Sequence, residues 1–259
     1  MTKILRLLIN FVKKFKVIFI FIAVCLLFLV AYTVVSVMAA KKQITIINEK
    51  YKSEIAMEGI EYPKILNLRK ESAFIQARLE LAKYDSVTLI VDLVDSLVLL
   101  DLKGVIVHQA KIIDFTKSEV LASLSNEAVV NIMASPMHII NQTSTIVKVP
   151  KKIVIAPKDT IEAANNVVAR DTLDLNPSFY YFELDNGFEI SIIHEQKEGY
   201  SYFPLILNQK IKVFKETIRG MRHFKLPEYI PGIKIELKKA DAKTVFRALP
   251  HQATVILRM

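Results

Sequence analysis

Cysteine is the first place to look for chemistry in this 259-residue chain, and there is one, Cys25, inside an apolar run. Everything beyond residue 40 therefore lacks a thiolate nucleophile, a disulfide and a cysteine-based metal site. The five histidines, 108, 138, 194, 223 and 251, are scattered, without the spacing that would set two imidazoles on one metal ion. His194-Glu195 is the one close histidine–carboxylate pair, and a strand end with polar neighbours accounts for it equally well. Asp92, Asp95 and Asp101 stand beside turns, where carboxylates serve backbone N–H groups. The six glycines never come two to a phosphate-cradling loop, which excludes dinucleotide and P-loop sites. No serine stands in a Ser-x-x-Lys or Gly-x-Ser-x-Gly setting. Neither a metal nor a cofactor is expected. Two basic clusters remain: residues 148–152, and residues 210–225 with Lys212, Lys215, Arg219, Arg222 and Lys225. Each reads as a solvated face or as a contact for an anionic polymer or lipid headgroup.

The element that places all of this is residues 17–38, with no charge, proline or glycine. At ~1.5 Å per residue, such a helix crosses the ~30 Å hydrocarbon core of a bilayer. Lipid offers backbone groups no partners, so a single span must be helical. Lys3, Arg6, Lys13, Lys14 and Lys16 precede it without any acid, which orients the N-terminus to the cytoplasm and exports the C-terminal part of the chain. A cleaved signal peptide is the rival, with Val37-Met38-Ala39 as its small-residue site. A signal's apolar region, however, runs only ~7–15 residues, and an anchor is expected. Of 35 Lys and Arg, five lie in that leader, so the remainder carries 30 against 26 acids, too even a balance for nucleic-acid binding. The expected parts are a basic cytoplasmic lead-in at 1–16, the transmembrane helix at 17–38, a stalk and helix at 39–84, and an exported α+β domain at 85–259.

Good helix formers at 67–84, with apolar residues at 74, 75, 79 and 81, predict a helix. Runs dense in Val, Leu and Ile at 87–92, 96–101 and 105–113 predict a three-stranded meander with a glycine turn at Gly104. Thr116 and Glu119 form a capping-box pattern for a helix to about residue 133. Short strands at 146–149 and 153–155 are broken by Pro150, and Asp159 with Glu162 opens a helix to about 169. Residues 179–184 and 188–194 flank Asp185-Asn186-Gly187, a hairpin signal. Residues 195–231 are loop-rich. Strand 233–237, helix 240–249 and strand 254–258 complete a β-rich domain.

The last stretch, GIKIELKKADAKTVFRALPHQATVILRM at 232–259, resembles the closing segment of L,D-transpeptidase catalytic domains, enzymes that cross-link peptidoglycan. In that family a strand bearing the catalytic cysteine leads to an Asp-Ala-opened helix, a Leu-Pro turn and a final strand. The matching pieces are residues 233–237, Asp241-Ala242, Leu249-Pro250 and residues 254–257. Residues 87–113 are similar to the family's opening meander. The resemblance implies that fold and a bacterial envelope setting. By the same alignment the cysteine position holds Lys234 and the nearby arginine holds Glu236, and the upstream histidine has no counterpart. Acyl transfer through a thioester needs a thiolate, so the implied activity is absent.

The expectation is a non-catalytic, single-pass protein of the cytoplasmic (inner) membrane. Its periplasmic domain would bind peptidoglycan or an envelope protein partner through a degenerate cleft. Candidate contacts are Lys234 and Glu236 on the strand, with Arg219, Arg222 and His223 before it. The I-K-I-E-L alternation also places Lys234 and Glu236 on a solvent face. One alternative is a structural subunit of a membrane assembly, marked by an exposed apolar patch. A second is an envelope hydrolase depending on His194 or His223.

Overall fold

The computed structural model describes residues 16–52, 63–146, 148, 178–194, 211, 214–215, 217–220, 226 and 229–259. The chain divides into two units, Met1–Ile47 with Phe203–Tyr229, and Asn48–Tyr202 with Ile230–Met259. Strands predicted at 146–149 and 153–155 and the helix from Asp159 fall largely or wholly outside the described residues.

Helix α1, Lys16–Lys50, forms the backbone of the first unit and is long and apolar enough to cross a membrane. Its apolar side chains from Ile20 to Val30 are exposed all round, as a helix meant for lipid requires. The helix does not stop near residue 38: nothing in 39–50 breaks it, and 35 residues run without interruption. The expected stalk is thus helical through Lys50. Within this unit the Tyr32 ring lies 5.8 Å from that of Phe214.

The second unit is a barrel. Eight strands close it in the order β1-β2-β3-β7-β6-β5-β4-β8 among the described residues. They are β1 Val87–Asp92, β2 Leu97–Leu102, β3 Val105–Lys117, β4 Met137–Ser144, β5 Phe179–Leu184, β6 Glu189–His194, β7 Gly232–Leu237 and β8 Thr254–Arg258. Neighbours are antiparallel except β6 with β7 and β1 with β8, which are parallel. The expected meander, hairpin and final strand are all present. Closure and β4 are additions of the structure, because strand order is invisible to periodicity.

Turn chemistry explains the hairpins. Lys103 and Gly104 both take positive φ, 55° and 83°, and the Gly104 N–H donates to Asp101 Oδ1 at 2.7 Å. At the β5–β6 turn Gly187 has φ 84°, where a Cβ would be strained. Asp92 Oδ1 accepts from the N–H groups of Val94 and Asp95, 3.0 and 2.9 Å away. The capping box at Thr116 is not formed. Thr116 belongs to β3, and two helices follow instead of one: α3, Glu119–Ala122, capped by Ser118, and α4, Asn126–Ala134, capped by Ser125. Each serine hydroxyl accepts a backbone N–H of its first turn, so the chain restarts at Ser125.

Apolar runs without alternation mark sheets covered on both faces. In β1, β2 and β8 the residues Ile90, Leu99 and Ile256 pack outward on Ala73, Phe74, Ala77 and Leu81 of α2, Pro63–Leu81, and on Val129 and Met133 of α4. In the other half a helix packs on the barrel through one face, Ala242, Val245 and Phe246, and leaves Ala240, Thr244 and Arg247 exposed. Helix α5, Lys239–Ala248, brings Phe246 against Tyr180 and Phe182 of β5, with ring centroids 4.8 and 6.4 Å apart. Tyr180 is fully buried and its hydroxyl donates to the Ala242 carbonyl at 3.0 Å. Burial pushes that phenol well above its ordinary pKa, so it stays a neutral donor.

Candidate functional site

Strand β7 alternates as its sequence requires. Ile233, Ile235 and Leu237 are buried, while Lys234 is exposed and Glu236 half-buried on the opposite face. Register then fixes their neighbours. Lys234 lies between Thr116 of β3 and Ser191 of β6, and Glu236 between Asp114 and Ile193. One strand further, Ser191 is opposite Tyr181 of β5. The outward face of β3, β7, β6 and β5 is thus polar around Lys234, with Tyr181 in it, and turns apolar beside Glu236, where Ile193 and Phe179 are buried. No described helix covers this face, in contrast to β1, β2 and β8. Lys234 and Glu236 are brought together on it. Arg219 is exposed and belongs to the first unit, while Arg222 and His223 lie outside the described residues.

His194 closes β6 and is buried. Its Nδ1 accepts the Ser178 N–H at 2.9 Å, and its backbone N–H donates to the Ser178 carbonyl at 3.1 Å. Burial lowers its pKa, partly offset by the Ser178 backbone as an acceptor and by Glu236, with Lys239 and Lys243 adding to the lowering. A neutral imidazole with Nδ1 committed to backbone is a structural fastening of the strand end. Glu195 lies outside the described residues. Asp92 and Asp101 are likewise structural: Asp92 is tied to Arg258 at 2.7 Å and Asp101 to Arg78 at 3.0 Å.

A second constellation has no counterpart among the spacing motifs of the sequence. A cavity of about 430 Å³ is lined by Ile140, Gln142, Lys148, Phe246, His251 and their neighbours. Lys148 enters from the segment after β4, and its ammonium lies 4.7 Å from the Phe246 ring centroid. It donates to the Leu249 carbonyl, the C-cap of α5, at 2.7 Å, and to Gln142 Oε1 at 3.5 Å. Gln142 in turn bonds His251 Nδ1 through its amide nitrogen. Burial lowers the Lys148 pKa. The only trace of this site in the sequence is the basic cluster 148–152, which does not distinguish one lysine from the next. Compared with known proteins, the chain matches no family model, no curated protein and no solved structure.

Proposed function

We propose that this chain is a non-catalytic, single-pass envelope protein whose barrel binds peptidoglycan or an envelope protein partner. The observation that carries the reading is the polar face around Lys234 and Glu236, which no described helix covers, on a domain without any cysteine. Such a row of hydroxyls, carboxylates, one ammonium and a tyrosine suits a long, hydrated glycan–peptide strand better than a compact apolar ligand. The likeness of residues 87–113 and 232–259 to L,D-transpeptidases supports the same ligand, with Lys234 in place of the nucleophile. The basic leader supports an N-terminus in the cytoplasm and a barrel in the periplasm. The small-residue site at Val37-Met38-Ala39 lies mid-helix in α1, a poor substrate for a peptidase that needs extended backbone, which favours an anchor.

Co-sedimentation of the full-length protein, in a non-ionic detergent, with isolated sacculi tests this. Retention without new muropeptides is expected, and Lys234→Ala should weaken it by roughly tenfold, the worth of one charge-assisted contact. Unchanged retention in Lys234→Ala and Glu236→Ala, or new cross-links or cleavage products, would remove the reading.

One observation favours assembly as a second role. Helix α2 carries two apolar faces, one buried in the core and one exposed at Ile65, Leu68, Ile75 and Leu79. These positions, with Ser72 between them, keep a three–four alternation from Ile65 to Leu79. That spacing is a coiled-coil seam, self-complementary to a second copy held in the same membrane plane. In a Cys25→Ala background, Leu79→Cys should give an oxidised dimer in membranes. A monomer only, at both Leu79→Cys and Ile75→Cys, would refute it.

A further inference from the structure

We infer that the cavity beneath Lys148 is a binding site for a small organic carboxylate with an apolar stem, separate from the outward face of Lys234. Four features of the pocket converge on that chemistry. Lys148 is half-buried, and among the described residues it has carbonyl and amide acceptors and no carboxylate. Taking a cation partly out of water without a counter-ion is costly, and an anion entering the cavity removes that cost. Two of its three N–H donors are occupied, which leaves one for a ligand oxygen.

The amide orientation supplies a second donor. Gln142 Oε1 accepts a hydrogen bond from Lys148, so its nitrogen is the donor to His251 Nδ1, and a neutral His251 then carries its proton on Nε2. Lysine, glutamine and histidine form one chain in which each donor polarises the next. Half of the remaining lining is apolar: Phe246 forms the floor, with Ile146 beside it, and Ile140 is 67 % exposed at the mouth, while Asn141, Ser144 and Gln252 supply the polar half. An exposed β4 isoleucine beside a cation and two amides fits a ligand whose body is aliphatic and whose end is charged. Inorganic anions would satisfy Lys148 but leave that apolar wall wet.

The site uses none of the residues proposed for polymer binding, so the two readings fail separately. The test is calorimetric titration of the full-length protein in dodecyl maltoside with N-acetylalanine, its C-terminal amide, and inorganic phosphate. N-acetylalanine is expected to bind and the amide to bind at least roughly tenfold more weakly, the value of one charged hydrogen bond. Lys148→Met should lose the acid-over-amide preference, and Lys234→Ala should keep it. His251→Ala, an exposed position outside any strand or helix, should weaken the acid without altering the melting temperature. Equal binding of acid and amide, phosphate binding as tightly as the acid, binding by none of the three, or an unchanged preference in Lys148→Met would each overturn the assignment.

Discussion

His194 and Arg258 show how single side chains hold strand ends in this barrel, and each makes a prediction. Protonating His194 at Nδ1 would destroy its hydrogen bond from Ser178, and its folded pKa is lowered by burial. With the folded value below the unfolded ~6.5, stability from this group is complete above about pH 6.5. It is lost as pH falls through the folded value, because the unfolded chain binds the proton first. Lys239, Lys243 and Glu236 set the field around the ring; of the three charges Glu236 alone opposes the loss, together with the Ser178 backbone. Melting temperature should therefore drop on acidification from pH 7 to 5, and His194→Asn, which keeps an acceptor that does not titrate, should flatten that slope.

Arg258 bonds Asp92, Asp95 and Glu71 and stacks 5.3 Å from the Phe74 ring. Burial alone would lower its pKa; the three carboxylates outweigh that and raise it. Because Asp92 is buried, Arg258→Met should cost about 3 kcal/mol in denaturant unfolding. The Lys103–Asp85 pair is exposed on both sides, and Lys103→Ala should leave the midpoint unchanged.

At the scale of elements, local signals are legible where one residue type answers one backbone need. The hairpin at Asp185-Asn186-Gly187 is of this kind, and Gly187→Ala should cost about 1 kcal/mol because φ is 84°. Serine caps are less legible. Thr116 with Glu119 matches a capping box, yet Ser118 and Ser125 do the capping, since strand pairing to Lys234 claims Thr116 first. Ser125→Ala should lower stability by about 1 kcal/mol, read from the same unfolding curves. Helix α2 is legible from its helix formers, though its mixed pattern hides two separate apolar faces. Strand β4 is hidden because Asn141, Gln142 and Thr143 in its second half look like a loop. Lys234 and Glu236 are legible as a pair on one face; the Lys148 site is not. Its partners come from β4, α5 and the turn before β8, up to 109 residues apart in sequence, and no spacing rule reaches that far.

The whole second unit is governed by how its barrel closes. Six antiparallel pairs form from local and distant partners alike, but β8 completes the ring by lying parallel to β1 and antiparallel to β4. The sequence could suggest a β-rich domain and its two ends, because those ends are local. Which end meets which is a property of the closed ring alone.

That last pairing has a consequence for biosynthesis. Strand β1 begins at Val87, and the strand that covers its second edge ends at Arg258. At roughly 5–20 residues per second, about ten to thirty seconds of translation separate the two. Throughout that interval β1 is an apolar run with one bare edge, the kind of surface that a holding chaperone shields until β8 arrives. A chain truncated before Thr254 should leave β1 sensitive to protease, and the same chain carried through Arg258 should protect it.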